Sequence, residues 1–220
     1  GNVYTTVKIG NQSWTVENLR ITKYNDGTPI PHIADSAQWA NLTTPGYCWY
    51  GNSTDPVEQS KWGALYNWYA VNTGKLAPKG WHVPSHAEWD TLLNYLIANG
   101  YNYNGSISEN KVAKAMAAQT DWAESDIEGA IGNDLSKNNA SGFSALHVGY
   151  RSYDGTFNYQ SNYGFWWSTT ELDASTAWYR YLLYSREHLP RVYNYQKFGF
   201  SVRLVKDYKL ELYKPISMFH

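Results

Sequence analysis

The chain has 220 residues, with 18 Lys and Arg against 19 Asp and Glu, a formal charge of -1. A balance that close to neutrality argues against a dedicated nucleic-acid binder, because phosphate binding needs a positive field. No run of about 18 apolar residues is present, so nothing reads as a membrane-spanning helix. Aromatics make up 17% of the chain, 20 Tyr and 11 Trp against 6 Phe, a balance that suits half-wet recognition surfaces as well as cores.

Residues 4–9 and 12–19 are β-rich and flank Gly10-Asn11, a hairpin signature. Residues 24–29 carry turn chemistry, and Asp35-Ser36 marks the start of a short helix through Trp39. Trp62, Leu65, Tyr66 and Tyr69 fall at helical spacing, which predicts a helix over 59–71 closed by Gly74. A second helix opens at Ser85. Glu88 three residues later completes a capping box, and Pro84 bars helix upstream. Trp89, Leu92, Leu93, Leu96 and Ile97 form its apolar face, which ends at Gly100. A weaker helical pattern covers 109–118. After Gly142 the pattern changes to short strands, predicted at 143–150, 165–168, 176–184 and 199–206. Helices in the first half and strands in the second give an α+β class. The tail from Asp207 is apolar enough to pack, with no place assigned.

Chemistry is sparse. Cys48 is the only cysteine, which leaves no intrachain disulfide and no cysteine metal site. His82 and His86 have the spacing of two zinc ligands on a helix, but Pro84 keeps them off one helical turn. Gly-x-Ser-x-Gly, P-loop and Gly-x-Gly-x-x-Gly signatures are missing. Glu17, Glu88, Glu171 and Asp173 are candidate glycosidase carboxylates, although a chain with 19 acids offers such pairs by chance. Asn133, Asp134, Asn138 and Asn139 offer oxygen ligands to a calcium ion, with ordinary turn residues as the plainer alternative.

Seven motifs follow one another: GNQSWTVENLR at 10–20, YNDGTPIP at 24–31, WGALYNWYAV at 62–71, LAPKGWHVPSHAEW at 76–89, SGFSALHVGYR at 141–151, WWSTTE at 166–171 and GFSVRLVKD at 199–207. Together they resemble the Fibrobacter succinogenes major paralogous domain family. The resemblance spans nearly all of 1–207 and leaves 208–220 outside as a tail. It implies one α+β domain with a C-type-lectin-like fold, two main helices packed on a twisted antiparallel sheet, and long irregular loops that carry the ligand face. The related formylglycine-generating enzymes need a reactive cysteine pair near the domain's end. Cys48 lies near the start, so the resemblance implies a binder and not an enzyme. Such domains are exported and displayed on bacterial surfaces. Residues 1–4 carry no charged n-region or apolar h-region, so the expectation is a secreted or cell-surface protein whose leader is not in this stretch.

Family members carry an Asn-dense segment between a Trp-Tyr-Arg strand and Gly-Phe-Ser-Val-Arg. Here the flanks are AWYR at 177–180 and GFSVR at 199–203, and between them only Asn194 is Asn. Tyr181, Leu183, Ser185, Arg186, His188, Pro190, Val192, Tyr193, Tyr195 and Phe198 can each be reached from the codon AAC by changing its adenines alone. That pattern resembles the variable protein of a diversity-generating retroelement. It implies a ligand face built from Tyr181, Leu183, Ser185, Arg186, His188, Pro190, Val192, Tyr193, Asn194 and Tyr195, bordered by Tyr153, Tyr159, Tyr163 and Trp166. Large rigid aromatics with adaptable polar groups suit such a face. Trp14, Trp68, Trp81, Trp89, Trp167 and Trp178 are assigned to the framework. The plainer alternative is an ordinary strand and loop with Leu183, Val192 and Phe198 in the core. The expected partner is a protein or a glycan. A carbohydrate-binding module and a pilus-tip or adhesin component are the alternatives. Neither a nucleic acid nor a cofactor other than calcium is expected, and the anchor is a lipid or another surface structure.

Overall fold

The computed structural model describes residues 2–207, so the tail 208–220 lies outside the described residues. In chain order the elements are β1 (Thr6–Ile9), β2 (Gln12–Thr15), α1 (Ser36–Ala40), β3 (Tyr47–Trp49), α2 (Pro56–Trp62), β4 (Ala64–Tyr66), α3 (Trp68–Asn72), β5 (Trp81–His82), α4 (His86–Ala98) and α5 (Ala113–Met116). Strands then prevail: β6 (Tyr150–Arg151), β7 (Phe157–Asn158), β8 (Tyr163–Asp173), β9 (Thr176–Leu183), β10 (Arg191–Tyr195) and β11 (Val205–Lys206). They form small antiparallel sheets ordered β1-β2-β11-β5, β10-β9-β8, β3-β4 and β6-β7. The chain is thus mixed helix and strand.

Local signals predicted well where the cause is local. Gly10 sits at φ 60° in the β1–β2 turn, a left-handed conformation that glycine adopts without strain. Asp35 caps α1 by accepting from the Gln38 amide at 2.7 Å. Ser85 and Glu88 cap α4 reciprocally, and Trp89, Leu92, Leu93 and Leu96 are buried along its inner face. Trp89 packs there against Trp14, with ring centroids 4.8 Å apart.

The helix predicted over 59–71 is instead broken into α2, β4 and α3. Gly63 stands at φ 76°, and a side chain there would meet Asn18 Cβ at 2.7 Å. Asn67 then caps α3 at the Ala70 amide while binding the Gly46 amide and the Thr44 carbonyl. Between the two breaks, Leu65 enters one hydrophobic cluster and Tyr66 another, the two-sided burial of a strand. The pattern over 109–118 contracts to the four residues of α5, so α4 is the one long helix among the described residues, where two were expected.

The segments 143–150 and 199–206 are mostly irregular, with regular strand only at β6 and β11. Residues 199–206 thread between elements. The Phe200 amide donates to Tyr66, the Ser201 amide to Phe165, and the carbonyls of Val202 and Leu204 accept from Leu19 and Thr15. Phe200, Val202 and Leu204 are buried on one side. On the other, the fully buried Arg203 donates to Asn18 Oδ1 at 2.8 Å and to the carbonyls of Thr15, Phe143 and Ser144. Burial pulls its pKa down to about 9. Arg151 is likewise fully buried, bound to the carbonyls of Ile33, Ala34 and Gly155 and seated over the Trp39 ring. Both guanidiniums tie irregular backbone together, where sheet hydrogen bonds are missing.

Candidate functional site

The sheet β10-β9-β8 positions the aromatic residues. Phe165 pairs with Tyr181, Trp167 with Tyr179, Tyr163 with Leu183, and Val192 with Tyr179. Paired residues share a face, so these side chains and Asn194 stand on one side of the sheet. The rings of Tyr163 and Phe165 stack at 5.3 Å, and Phe165 stacks on Phe200 at 5.1 Å. Above them is an open depression of about 340 Å³ lined by Tyr150, Tyr159, Tyr163, Phe165, Tyr179, Tyr181, Val192, Asn194, Phe198 and Phe200.

The rings continue past its rim. Tyr159 lies 5.8 Å from Tyr150, Tyr150 lies 5.4 Å from Phe198, Phe198 lies 5.8 Å from Tyr153, and Tyr153 lies 6.0 Å from Tyr195. Tyr153 and Tyr195 line a second depression of about 410 Å³ with Tyr69, Ser175 and Lys197. Tyr153, Tyr159 and Tyr195 are each a little over half exposed, at 52%, 53% and 54%. Half-buried Tyr150 and buried Phe198 link Tyr159 to the exposed pair Tyr153 and Tyr195.

Three of the phenols are raised above the ordinary tyrosine value. Burial pushes the Tyr179 hydroxyl far up, the neighbouring Tyr181 and Tyr150 add to it, and Asn194 partly offsets it. Burial also raises Tyr150 and Tyr163, and the Arg186 charge works against the rise at Tyr163. The belt offers flat apolar faces edged with hydroxyls, suited to dispersion contacts and hydrogen bonds.

The sequence-assigned ligand residues do not form one face. Tyr181, Val192 and Asn194 meet in the first depression, Leu183 shares their side, and Tyr195 reaches the second. Tyr193 points to the opposite side of the sheet, where its ring lies 5.5 Å from Trp178. Arg191 covers the same indole at 4.4 Å and meets His86 Nε2 at 2.8 Å. Ser185, Arg186, His188 and Pro190 lie on the β9–β10 connection. Framework groups pin that loop: the Gly132 amide on Tyr184, the Ala113 amide on Glu187, and Asn110 on both backbone groups of Leu189. The period of two in β10 separates Arg191 and Tyr193 from Val192 and Asn194, while Tyr195 ends the strand beside Tyr153.

Trp166 is not a border residue. It is fully buried, and its indole N–H donates to Asn18 at 3.0 Å. Trp14, Trp68, Trp89 and Trp167 are buried, while Trp81 and Trp178 are half-buried. Phe198 is buried and Val192 packs against the core, as the plainer alternative held, whereas Leu183 is only half-buried. The floor residues Tyr150, Phe165, Tyr179, Phe198 and Phe200 were not assigned to the site. Phe198 is among the codon-reachable positions, and the alternation of Tyr179 with Tyr181 points to Tyr179.

The remaining candidates have structural partners. His82 lies between Asp207 and Glu88, each at 2.6 Å, while His86 faces Asp90 at 3.0 Å. Glu17 holds the Thr5 amide and Asp173 the turn to Thr176, while Glu171 binds Gln196. Among the described residues no group of His, Cys, Asp and Glu is arranged to hold a metal ion. The oxygens offered to calcium are in part turned onto a cation of the chain itself. Lys114 Nζ donates to the carbonyls of Asp134 at 3.0 Å, Ala130 at 3.2 Å and Asn133, and to Asn138 Oδ1 at 3.1 Å. Asn139 instead binds Ser144.

A family model described as the Fibrobacter succinogenes major domain matches residues 7–206. No curated protein and no solved structure matches the chain. No helix among the described residues is long and apolar enough to cross a membrane.

Proposed function

We propose that this chain, which belongs to the Fibrobacter succinogenes major domain family, is a non-catalytic ligand-binding domain displayed on a bacterial surface. Its scaffold is read as C-type-lectin-like, and its binding face as the aromatic belt from Tyr163 to Tyr195. The observation that carries the reading is the unbroken path of rings, three of them more than half exposed, across two adjoining depressions. Tyr181, Val192 and Asn194 stand on a floor made largely by Tyr150, Phe165 and Phe200, which lie outside the segment 181–198. Side chains on such a floor can change without unfolding what supports them, which supports the retroelement-diversified reading. The ligand is a protein or a glycan.

A glycan array and an array of bacterial and host surface proteins, each probed with wild type, Tyr181→Ala and Tyr193→Ala, test this. Loss of a central aromatic anchor is worth about 2 kcal/mol, roughly a thirtyfold loss of affinity. Tyr181→Ala is expected to lose capture by that factor and Tyr193→Ala to retain it, with both melting within a few degrees of wild type. Undiminished capture by Tyr181→Ala refutes the assignment. In the gene, cytosine in the third codon position through 181–198, beside a near-copy bearing adenines, is the signature of diversification. Random third bases there refute it.

A further inference from the structure

We infer that a polar pocket between the 50–55 loop and α2 is a seat for a neutral saccharide, independent of the aromatic belt. The pocket measures about 460 Å³, within the roughly 300–1,000 Å³ usual for small-ligand sites. Trp49, Tyr50 and Trp62 form its aromatic walls, each half-buried and each held from behind. Trp49 meets Tyr47 edge-on at 5.6 Å, Tyr50 meets Phe157 at 5.3 Å, and Trp62 lies 5.0 Å from His147. The walls therefore need little ordering when a ligand arrives.

Four planar polar side chains in the same pocket follow one pattern. Each is fixed by one atom and leaves an oxygen over. Asn52 Nδ2 donates to the Ala34 carbonyl at 2.9 Å, which leaves Oδ1. Asp55 Oδ1 accepts from the Val57 amide at 2.8 Å, which leaves Oδ2. Glu58 Oε2 accepts from the Ser53 hydroxyl at 2.5 Å, which leaves Oε1. Gln59 Nε2 donates to the Ser53 carbonyl at 2.8 Å, which leaves its Oε1. Gly51, at φ 60°, has open space where a side chain would project.

The ligand class follows from what these groups lack and what they offer. The lining includes two carboxylates, and the Lys61 ammonium over the Trp62 ring is already paired with Asp121, which disfavours an anion. A quaternary ammonium would use the rings and the charge but has no donor for four spare acceptor oxygens. A pyranose has an apolar C–H face for an aromatic wall and adjacent hydroxyls that donate to paired acceptors. The volume admits one or two sugar units.

The test uses the full chain. A panel of neutral disaccharides (cellobiose, maltose, lactose and xylobiose), with choline and a sialylated trisaccharide as controls, is titrated while tryptophan fluorescence and amide NMR shifts are read. Glu58→Ala removes one spare acceptor. Asn52→Gly removes another and suits the backbone, since Asn52 has φ 54°. Gln160→Ala alters an exposed lining side chain and serves where either variant lowers Tm. Expected is binding of at least one neutral disaccharide, weakened tenfold or more in these variants and unchanged in Tyr181→Ala. The inference is overturned if no neutral saccharide binds, if choline or the sialylated sugar binds in preference, or if Tyr181→Ala abolishes binding while the pocket variants keep it. Because Tyr181 reads the belt and Asn52 and Glu58 read the pocket, failure of one assignment is distinct from failure of the other.

Discussion

Replacing Lys114 with methionine removes the cation at the centre of an oxygen cage while keeping most of the side-chain volume. The ammonium is 6% exposed as part of its residue and has oxygens of Ala130, Asn133, Asp134 and Asn138 within hydrogen-bonding distance. It has three N–H groups, so at most three of these bonds are strong at once. Hydrogen bonds to a charged group are worth about 1.5–3 kcal/mol each, which gives a gross loss of about 5–9 kcal/mol. Against that, wild type bears the desolvation of the charge, several kcal/mol, and burial accordingly pulls the Lys114 pKa down. The net destabilisation expected for Lys114→Met is about 3–5 kcal/mol, the usual result of stripping one partner from a buried charged contact. Urea unfolding read by tryptophan fluorescence measures it, and amide hydrogen exchange should accelerate first around Asn138, whose Oδ1 accepts from the ammonium, and Asn139, whose amide donates to the Lys114 carbonyl. Carbonyl and amide oxygens are hard ligands, so in Lys114→Ala millimolar calcium is expected to recover part of the lost stability. Wild type, with its site filled by the ammonium, is expected to be indifferent. A Lys114→Met protein within about 1 kcal/mol of wild type would show that water satisfies these oxygens equally well and would refute the reasoning.

Four further outcomes are expected. Burial lowers the His82 pKa, but hydrogen bonds to Asp207 and Glu88 outweigh it and raise the folded value. Stability from this contact is therefore full below the unfolded value of about 6.5 and lost as pH rises through the higher folded value. A Tm difference between wild type and His82→Gln that grows from pH 6 to pH 9 contradicts this sign. Burial raises Glu88, but the Ser85 and His82 contacts bring it below the ordinary value. Its contribution is present above a pH of about 4.5 and fades as pH falls through the lower folded value, which Glu88→Gln melts between pH 3 and pH 6 will show. Gly149→Ala places a methyl 2.2 Å from the Asn158 carbonyl at φ 73°; a loss of about 2 kcal/mol or more in urea unfolding is expected, and a neutral result rules out the close approach. Cys48 is fully buried with its thiol pushed up to about 12, so Ellman's reagent should leave it unmodified until denaturant is added, and rapid labelling of the native chain counts against its burial.

What could be read from the residues alone depended on how far away the cause lay. The Gly10 turn, the Asp35 cap and the Ser85–Glu88 box each act within a few positions, and each appears where the residues placed it. The break in 59–71 does not. Gly63 is demanded by the approach of Asn18, and Asn67 is held by Thr44 and Gly46, all some twenty or more positions away. Helical spacing of large residues cannot register such contacts. Arg151 and Arg203 run against the rule that charges stay outside, and only the bare carbonyls of irregular segments around them explain their burial. The floor of the belt was hidden because Tyr150 and Phe200 fall in the shared family motifs and Phe165 in a predicted strand, none of them in the segment 181–198. They are both buried on one side and lining a depression on the other.

Strand β10 lies at the margin of its sheet, and consecutive residues leave it in opposite directions. A short stretch of gene therefore writes alternately on two separate exteriors, Val192 and Asn194 on one, Arg191 and Tyr193 on the other. Edits at 192 and 194 need not disturb what 191 and 193 do, whereas Tyr195, at the strand's end, lies beside Tyr153 of the belt. Such interleaving lets a lineage refine one exterior under selection while the other drifts, and a combinatorial library confined to two codons would sample the first without touching the second.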